Sequence, residues 1–337
     1  MWISIEDGAE VGAVKSKLQA LGLWTRVLKG RSGAGLIVDP GSAAVSPEVI
    51  LAVAGVADVS VEPSAHPGVD ASAHRPVVIA GRVIGGGAPL LMAGPCSVES
   101  EAQIHASAQM VARAGAAFLR GGAFKPRTSP YAFCGTGREG LSWMRDAADA
   151  HGLGVITEVL GEGDVEEVAA CADLLQIGAR NMQNFALLRA IGATGKPTLL
   201  KRGMGSLVDE WLLAAEHLLA AGGGPVIFCE RGIRGFEPSY RNVLDLSAVA
   251  LLKHVHGQIV VVDPSHAAGR RDLIGPLSRA ALAVGADGLL VEAHPDPAAA
   301  RSDGPQALHA RELEAIGQDV IAEADRRGRP QSRRAAS

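Results

Sequence analysis

The chain has 337 residues, 47% apolar and 20% charged, with a formal net charge of −4. That length admits a large core plus a second small domain, and the mild acidity gives no reason to expect nucleic acid. No apolar stretch reaches the roughly 18 residues of a membrane span, the start MWISIEDGAE is not a basic-then-apolar leader, and four scattered cysteines without a CxxC argue against a disulfide framework or a zinc knuckle, so a cytoplasmic location is expected.

Residues 1–62 read as a unit of their own. WISI is a short strand, and residues 9–21 are a helix with Val11, Val14, Leu18 and Leu21 on one stripe. TRVLKGRSGAGLIV is two strands around a Gly-rich turn, residues 47–53 are a second helix, and DVSVE is a last strand. The order βαββαβ is ferredoxin-like. Pro63, Pro67 and Pro76 give residues 63–76 the composition of a linker, and VVIAGRVIGGG after them reads as a small hairpin.

Residues 77–320 carry a different rhythm, in which short apolar runs end on charged or metal-ligating residues. LLMAGPC ends on Cys96, AAFLR on Arg120, GVITE on Glu158, LLQIGAR on Arg180 and PTLLK on Lys201. PVIFCER ends on Glu230 and Arg231, QIVVVDPSH on Asp263 and His266, and DGLLVE on Glu292. Stretches with helical spacing lie between them, at residues 102–114, 207–219, 243–252 and 273–284. Eight buried strands alternating with helices predict a closed TIM (β/α)8 barrel, whose active site lies at the strands' C-terminal ends. Residues 321–337, with five arginines among small and polar residues, read as a disordered tail.

Two sets of side chains converge on that mouth. Cys96, His266, Glu292 and Asp303 come from strands one, seven and eight and from the loop after strand eight, which are neighbours in a closed barrel. A thiolate, an imidazole and two carboxylates suit a divalent ion such as Mn, Fe, Co or Zn, among which the Irving–Williams order alone does not choose. Arg120, Lys125, Arg180, Lys201 and Arg231 form the second set, which calls for a ligand bearing phosphate, carboxylate or both. The alternative is that these cations pair with Glu158, Glu230, Asp263 and Asp173 in a structural network. RGGAFKPRTSP suggests a further anion site, with Gly121 and Gly122 letting amides approach a ligand and Arg127 and Thr128 offering a fork and a hydroxyl.

AGPCSVES, LRGGAFKPRTSPYAFCGTG, ITEV, QIGARNMQN, LLKRGM, CERGIRGFE, VVDPSHAAGRRDL and GADGLLVEAHPDPAAARSDGPQAL together resemble 3-deoxy-D-arabino-heptulosonate 7-phosphate (DAHP) synthases of the type I beta branch. The resemblance covers about residues 77–315. It implies the first step of the shikimate pathway, in which phosphoenolpyruvate condenses with erythrose 4-phosphate. It implies that Cys96, His266, Glu292 and Asp303 hold the metal, Mn2+ or similar. Arg120, Lys125, Arg180, Lys201 and Arg231 would bind phosphoenolpyruvate, and Arg127 and Thr128 the aldose phosphate. Lys125, or in competition with it a water on the metal, would protonate the aldehyde oxygen, and Glu158 or Asp263 would orient the attacking water. Cys96 would be the thiol whose oxidation inactivates, while Cys134 stands where relatives carry other residues.

Two other readings stay open: the sister 3-deoxy-D-manno-octulosonate 8-phosphate synthase, and a catalytically silent regulatory barrel. KPRTS speaks against the first, and the complete set of ligands and cations against the second. The resemblance further implies a homotetramer, and residues 1–62 are expected to regulate through an aromatic amino-acid effector, tyrosine or phenylalanine, the alternative being a solubility or assembly module with no ligand.

Overall fold

The computed structural model describes residues 1–30, 33–39, 41–125, 131 and 133–328, which fall into two compact units, Met1–Ala65 and His66 onward. In the first, β1 (Trp2–Ile5), β2 (Thr25–Gly30), β3 (Gly33–Val38) and β4 (Val56–Ser60) form one antiparallel sheet in the order β2-β3-β1-β4. The helices Val11–Ala20 and Pro47–Leu51 complete the βαββαβ order. Ile3 and Leu36 on the sheet bury with Val14, Leu18 and Ile50 on the helices, while Leu21 lies past the helix end, partly exposed. The Trp2 ring lies so close over Gly35 that any Cβ at position 35 would run into it.

The second unit begins earlier than its composition suggests. Pro67–Ala71, inside the expected linker, is a short helix with Pro67 in its first turn, and the backbone N–H groups of Gly68 and Val69 each donate to the Glu216 carboxylate at 3.0 Å. A carboxylate meeting free amides at a helix start is locally favourable, and it fastens this segment to the helix Val208–Ala220. The hairpin β5 (Val77–Ile79) and β6 (Arg82–Ile84) follows.

The barrel strands are β7 (Leu90–Gly94), β8 (Phe118–Arg120), β9 (Gly154–Glu158), β10 (Leu174–Ile177), β11 (Thr198–Lys201), β12 (Val226–Glu230), β13 (Val260–Val262) and β14 (Gly288–Glu292). All pair in parallel, and β14 closes onto β7. Side chains alternate sides along a strand. Met92, Phe118, Ile156, Leu174, Leu199, Ile227, Cys229, Val261 and Leu290 point inward and fill the barrel against Ile79 and Ile84 of the hairpin. Stepping on by two residues from the last inward apolar position gives Arg120, Glu158, Gln176, Lys201, Arg231, Asp263 and Glu292. An apolar layer therefore lies beneath a polar one.

Two further expectations are corrected. The segment expected as a helix over residues 243–252 forms the helix Leu246–Ala250 followed by a π-helical turn, Leu251–Val255. The expected tail is helical at its start, since Ala310–Gly328 is one helix and the Arg327 guanidinium donates to the carbonyls of Leu282 at 2.7 Å and Ala286 at 3.0 Å. Residues 329–337 lie outside the described residues. Among those described, no helix is long and apolar enough to cross a membrane.

At Gly94, with φ +152°, an added Cβ would overlap the Arg120 carbonyl oxygen of the neighbouring strand. Gly94→Ala should destabilise the fold by about 2–3 kcal/mol, read as a lowered urea midpoint at unchanged slope.

Candidate active site

The polar layer lines a cavity of about 130 Å3 bordered by Arg120, Lys125, Arg180, Lys201, Arg231 and Arg241, with Glu158, Gln176, His266 and Asp303 among its other walls. Six cations against two carboxylates make the lining strongly positive. Burial pushes the Arg231 guanidinium below its ordinary value, with nearby Arg241 adding to the effect and Asp263 opposing it. The Arg180 guanidinium lines the cavity and has no side-chain hydrogen bond or ion pair among the described residues, so its charge is open to a ligand. Such a cleft favours a compact, highly charged anion.

Cys96, Glu292 and Asp303 offer ligand atoms that all lie within 4.8 Å of one another. The Cys96 thiol donates to Asp303 at 3.1 Å and its sulfur is 2.9 Å from the Ser302 hydroxyl oxygen. Burial and the Glu292 charge push that thiol up to about 12. It is therefore protonated at neutral pH without a cation beside it. Burial works against the Glu292 charge, yet His266 and Arg120 outweigh it and hold the carboxyl at about 2. Arg120 donates to it at 2.8 Å, and Gln306 also donates to it. His266 Nε2 lies 3.4 Å from Glu292 Oε1. Two carboxylates and a thiol thus converge on one point, and the imidazole borders that group only through Glu292; this donor chemistry fits a divalent cation.

Asp263 connects the two sets. Buried and capping the short helix Pro264–Ala268, it accepts from His266 N at 2.9 Å and meets His266 Nδ1 at 2.7 Å and Lys201 Nζ at 2.6 Å. Burial opposes its charge, but His266 and Lys201 hold it well below the usual carboxylate range. Burial likewise keeps the imidazole below its ordinary value despite Asp263. With Nδ1–H given to Asp263, Nε2 is left as a lone-pair donor facing Glu292.

Alternation also sorts the structural pairs from the site. Glu230 and Arg202 follow inward residues, so they point outward, where Arg202 donates to Glu230 at 3.2 Å and Asp245 at 2.8 Å. Asp173 likewise pairs with Arg145 at 2.8 Å. The expected network is therefore real for Asp263, which pairs with the strand-end Lys201, and for Glu230 and Asp173, which use arginines outside the set. Glu158 lines the cavity, and Gln176 donates to it at 3.4 Å.

The diglycine has a different use from the expected one. Gly121 N–H donates to Ile156 O and Gly122 N–H to Cys96 O, both at 3.2 Å, so these amides are taken by the protein. A Cβ at Gly122 would press on Lys125, whose Nζ donates to Cys96 O at 2.9 Å. Arg127 and Thr128 lie outside the described residues. Cys134 is exposed. Arg241, 3.6 Å from Asp303 Oδ1, was not foreseen, since it lies in a loop and not at a strand end.

The DAHP synthetase I family model matches residues 61–326. Phospho-2-dehydro-3-deoxyheptonate aldolase of Thermotoga maritima is 50% identical over 245 residues, 73% of this chain and 72% of that protein. A crystal structure of the aldolase (DAHP synthase) from the same organism superposes with TM-score 0.75 at 38% identity, over 96% of this chain and 97% of that one. 2-Dehydro-3-deoxyphosphooctonate aldolase of Variovorax paradoxus is 33% identical over 69% of this chain and 89% of its own length.

In metal-free protein at pH 8, iodoacetamide should label exposed Cys134 at least about tenfold faster than buried, protonated Cys96. Peptide mass spectrometry over time reads both rates, and equal rates would contradict the environment described for Cys96.

Proposed function

The chain belongs to the DAHP synthetase I family and catalyses the DAHP synthase reaction, and from that premise we propose how its residues share the work. Phosphoenolpyruvate and erythrose 4-phosphate combine with water to give DAHP and inorganic phosphate. The observation that carries the assignment is the cation-lined cavity adjoining the cluster of Cys96, Glu292 and Asp303.

Arg120, Lys125, Arg180, Lys201 and Arg231 hold the phosphate and carboxylate of phosphoenolpyruvate, with Arg241 at the rim. Arg127 and Thr128 grip the phosphate of the aldose. Cys96, His266, Glu292 and Asp303 would hold a divalent ion, Mn2+ or similar, which when bound supplies Lewis-acid polarisation of the aldehyde carbonyl. The methylene carbon of phosphoenolpyruvate attacks the aldehyde carbon while Lys125 gives a proton to the aldehyde oxygen. Water adds to the former enol carbon that bears the phosphate, and cleavage of that carbon's bond to the phosphate oxygen releases inorganic phosphate. Glu158 orients this water, since its carboxylate faces the cavity while Asp263 is engaged by Lys201 and His266.

The sister octulosonate activity is the weaker reading, resting on relatives near 33% identity against 50% for the heptonate aldolase. Phosphate release from phosphoenolpyruvate should require erythrose 4-phosphate and respond little to arabinose 5-phosphate. Excess chelator should abolish it, and Mn2+ should restore it. Turnover in chelator, with no metal by elemental analysis, would overturn the metal assignment, and a preference for the pentose phosphate would overturn the substrate assignment.

The homotetramer and the cytoplasmic location are proposed on the resemblance. The first unit is proposed as the regulatory part, binding tyrosine or phenylalanine. Its separate core and its exposed Trp24, Val27 and Leu28 support a binding role. Because the helix Pro67–Ala71 is fastened within the second unit, the truncation that tests this removes residues 1–65. It should keep kcat within about threefold and lose inhibition by millimolar tyrosine or phenylalanine. If the full-length protein ignores both amino acids, the regulatory assignment fails.

A further inference from the structure

Two of the proposed ligands sit on loops that must be held together for a metal to find them. Cys96 lies just past β7 and Asp303 lies eleven residues past the end of β14, in a loop with φ +53° at Asp303. A left-handed, non-glycine backbone persists only where its surroundings hold it. On one side Arg271 does so, donating to Gly304 O at 3.2 Å and Ala307 O at 2.6 Å. On the other side the hold comes from Glu99, three residues after Cys96.

Glu99 Oε1 accepts the backbone N–H of Arg301 at 2.9 Å and the Ser97 hydroxyl at 3.2 Å. Arg301 immediately precedes Ser302 and Asp303, the two residues that touch the Cys96 sulfur. Glu99 Oε2 lies 3.7 Å from His294 Nε2, a buried nitrogen with no hydrogen-bond partner among the described residues. His294 Nδ1 in turn accepts from Asp296 N at 3.0 Å, so this imidazole belongs to the same loop. The side chains of Glu99 and His294 are only 9% and 7% exposed, which keeps water from competing for the carboxylate. The Arg301 guanidinium lies 3.7 Å over the Phe133 ring, a second fastening of the strand-eight loop.

We infer that Glu99 is a positioning residue for the metal ligands: it fastens the Cys96 loop to the Asp303 loop and so sets the spacing of thiol and carboxylate. This rests on the metal assignment made above. Glu99 belongs neither to the residues lining the cation-rich cavity nor to the Cys96, Glu292 and Asp303 group. Its effect should appear in metal affinity before it appears anywhere else, because outer partners of metal ligands act by fixing ligand placement.

The test titrates Co2+ into metal-stripped, full-length protein and follows the thiolate-to-cobalt charge-transfer band. Wild type, Glu99→Ala, Glu99→Gln and Cys96→Ser are compared. Glu99→Ala should weaken Co2+ binding about 10- to 100-fold, while phosphoenolpyruvate affinity of the metal-free protein and the unfolding midpoint stay near wild type. Glu99→Gln keeps an oxygen acceptor for Arg301 N–H and should stay within about threefold of wild type. The inference is overturned if Glu99→Ala binds Co2+ as wild type does, if Glu99→Gln falls as far as Glu99→Ala, or if phosphoenolpyruvate affinity drops by the same factor as Co2+ affinity. A wild-type protein without a Cys96-dependent band would sink the metal assignment and the inference with it. A normal wild-type band with an unshifted Glu99→Ala would reject the inference alone.

Discussion

The Asp263 carboxylate, 2.6 Å from Lys201 Nζ and 2.7 Å from His266 Nδ1, is the contact on which both halves of the barrel mouth depend. A buried ammonium among arginines is unfavourable without a counter-charge, and an imidazole that is to donate a lone pair must have its other nitrogen fixed. One carboxylate meets both requirements. Glu292 repeats the arrangement, facing Arg120 of the anion set and His266 of the metal set. Two buried carboxylates therefore join the cations that would hold phosphoenolpyruvate to the ligands that would hold a metal.

The mouth follows from alternation along short parallel strands. On each of seven strands the last inward apolar residue is followed two positions later by an inward polar one, such as Phe118 then Arg120 or Leu290 then Glu292. The apolar layer, plugged below by Ile79 and Ile84, supplies the rigid floor. On that floor the charges face one another at fixed separations. β7 is the exception, since Gly94 leaves room for the Arg120 backbone and the chain delivers its chemistry two residues later, at Cys96. Glu99 then extends the same loop toward Asp303.

This logic explains what could be read from the residues alone. Apolar runs ending in chemistry are a period-2 signal repeated in every unit, so the barrel and most of the mouth were legible, as was the βαββαβ order of the first unit. Lys201 and Arg202 stand side by side and look equivalent in the sequence. Only strand register shows that one faces the cavity while the other pairs outside with Glu230 and Asp245. The helix Pro67–Ala71 was hidden by the prolines in and around it, and the carboxylate that accepts its first amides, Glu216, lies more than a hundred residues away. Arg241, Glu99 and His294 act from loops, where no periodicity marks them. Gly121 and Gly122 advertised open amides that Ile156 and Cys96 in fact accept from.

If Asp263 unites the two sets, one substitution should loosen both. Asp263→Asn keeps the shape but cannot serve the Lys201 ammonium and the His266 N–H as a full carboxylate does. The decisive measurement is calorimetry on this folded variant, with phosphoenolpyruvate added to metal-free protein and Co2+ added separately. The account predicts that both affinities fall together, each by about tenfold or more. A variant that loses one and keeps the other within about twofold would contradict it.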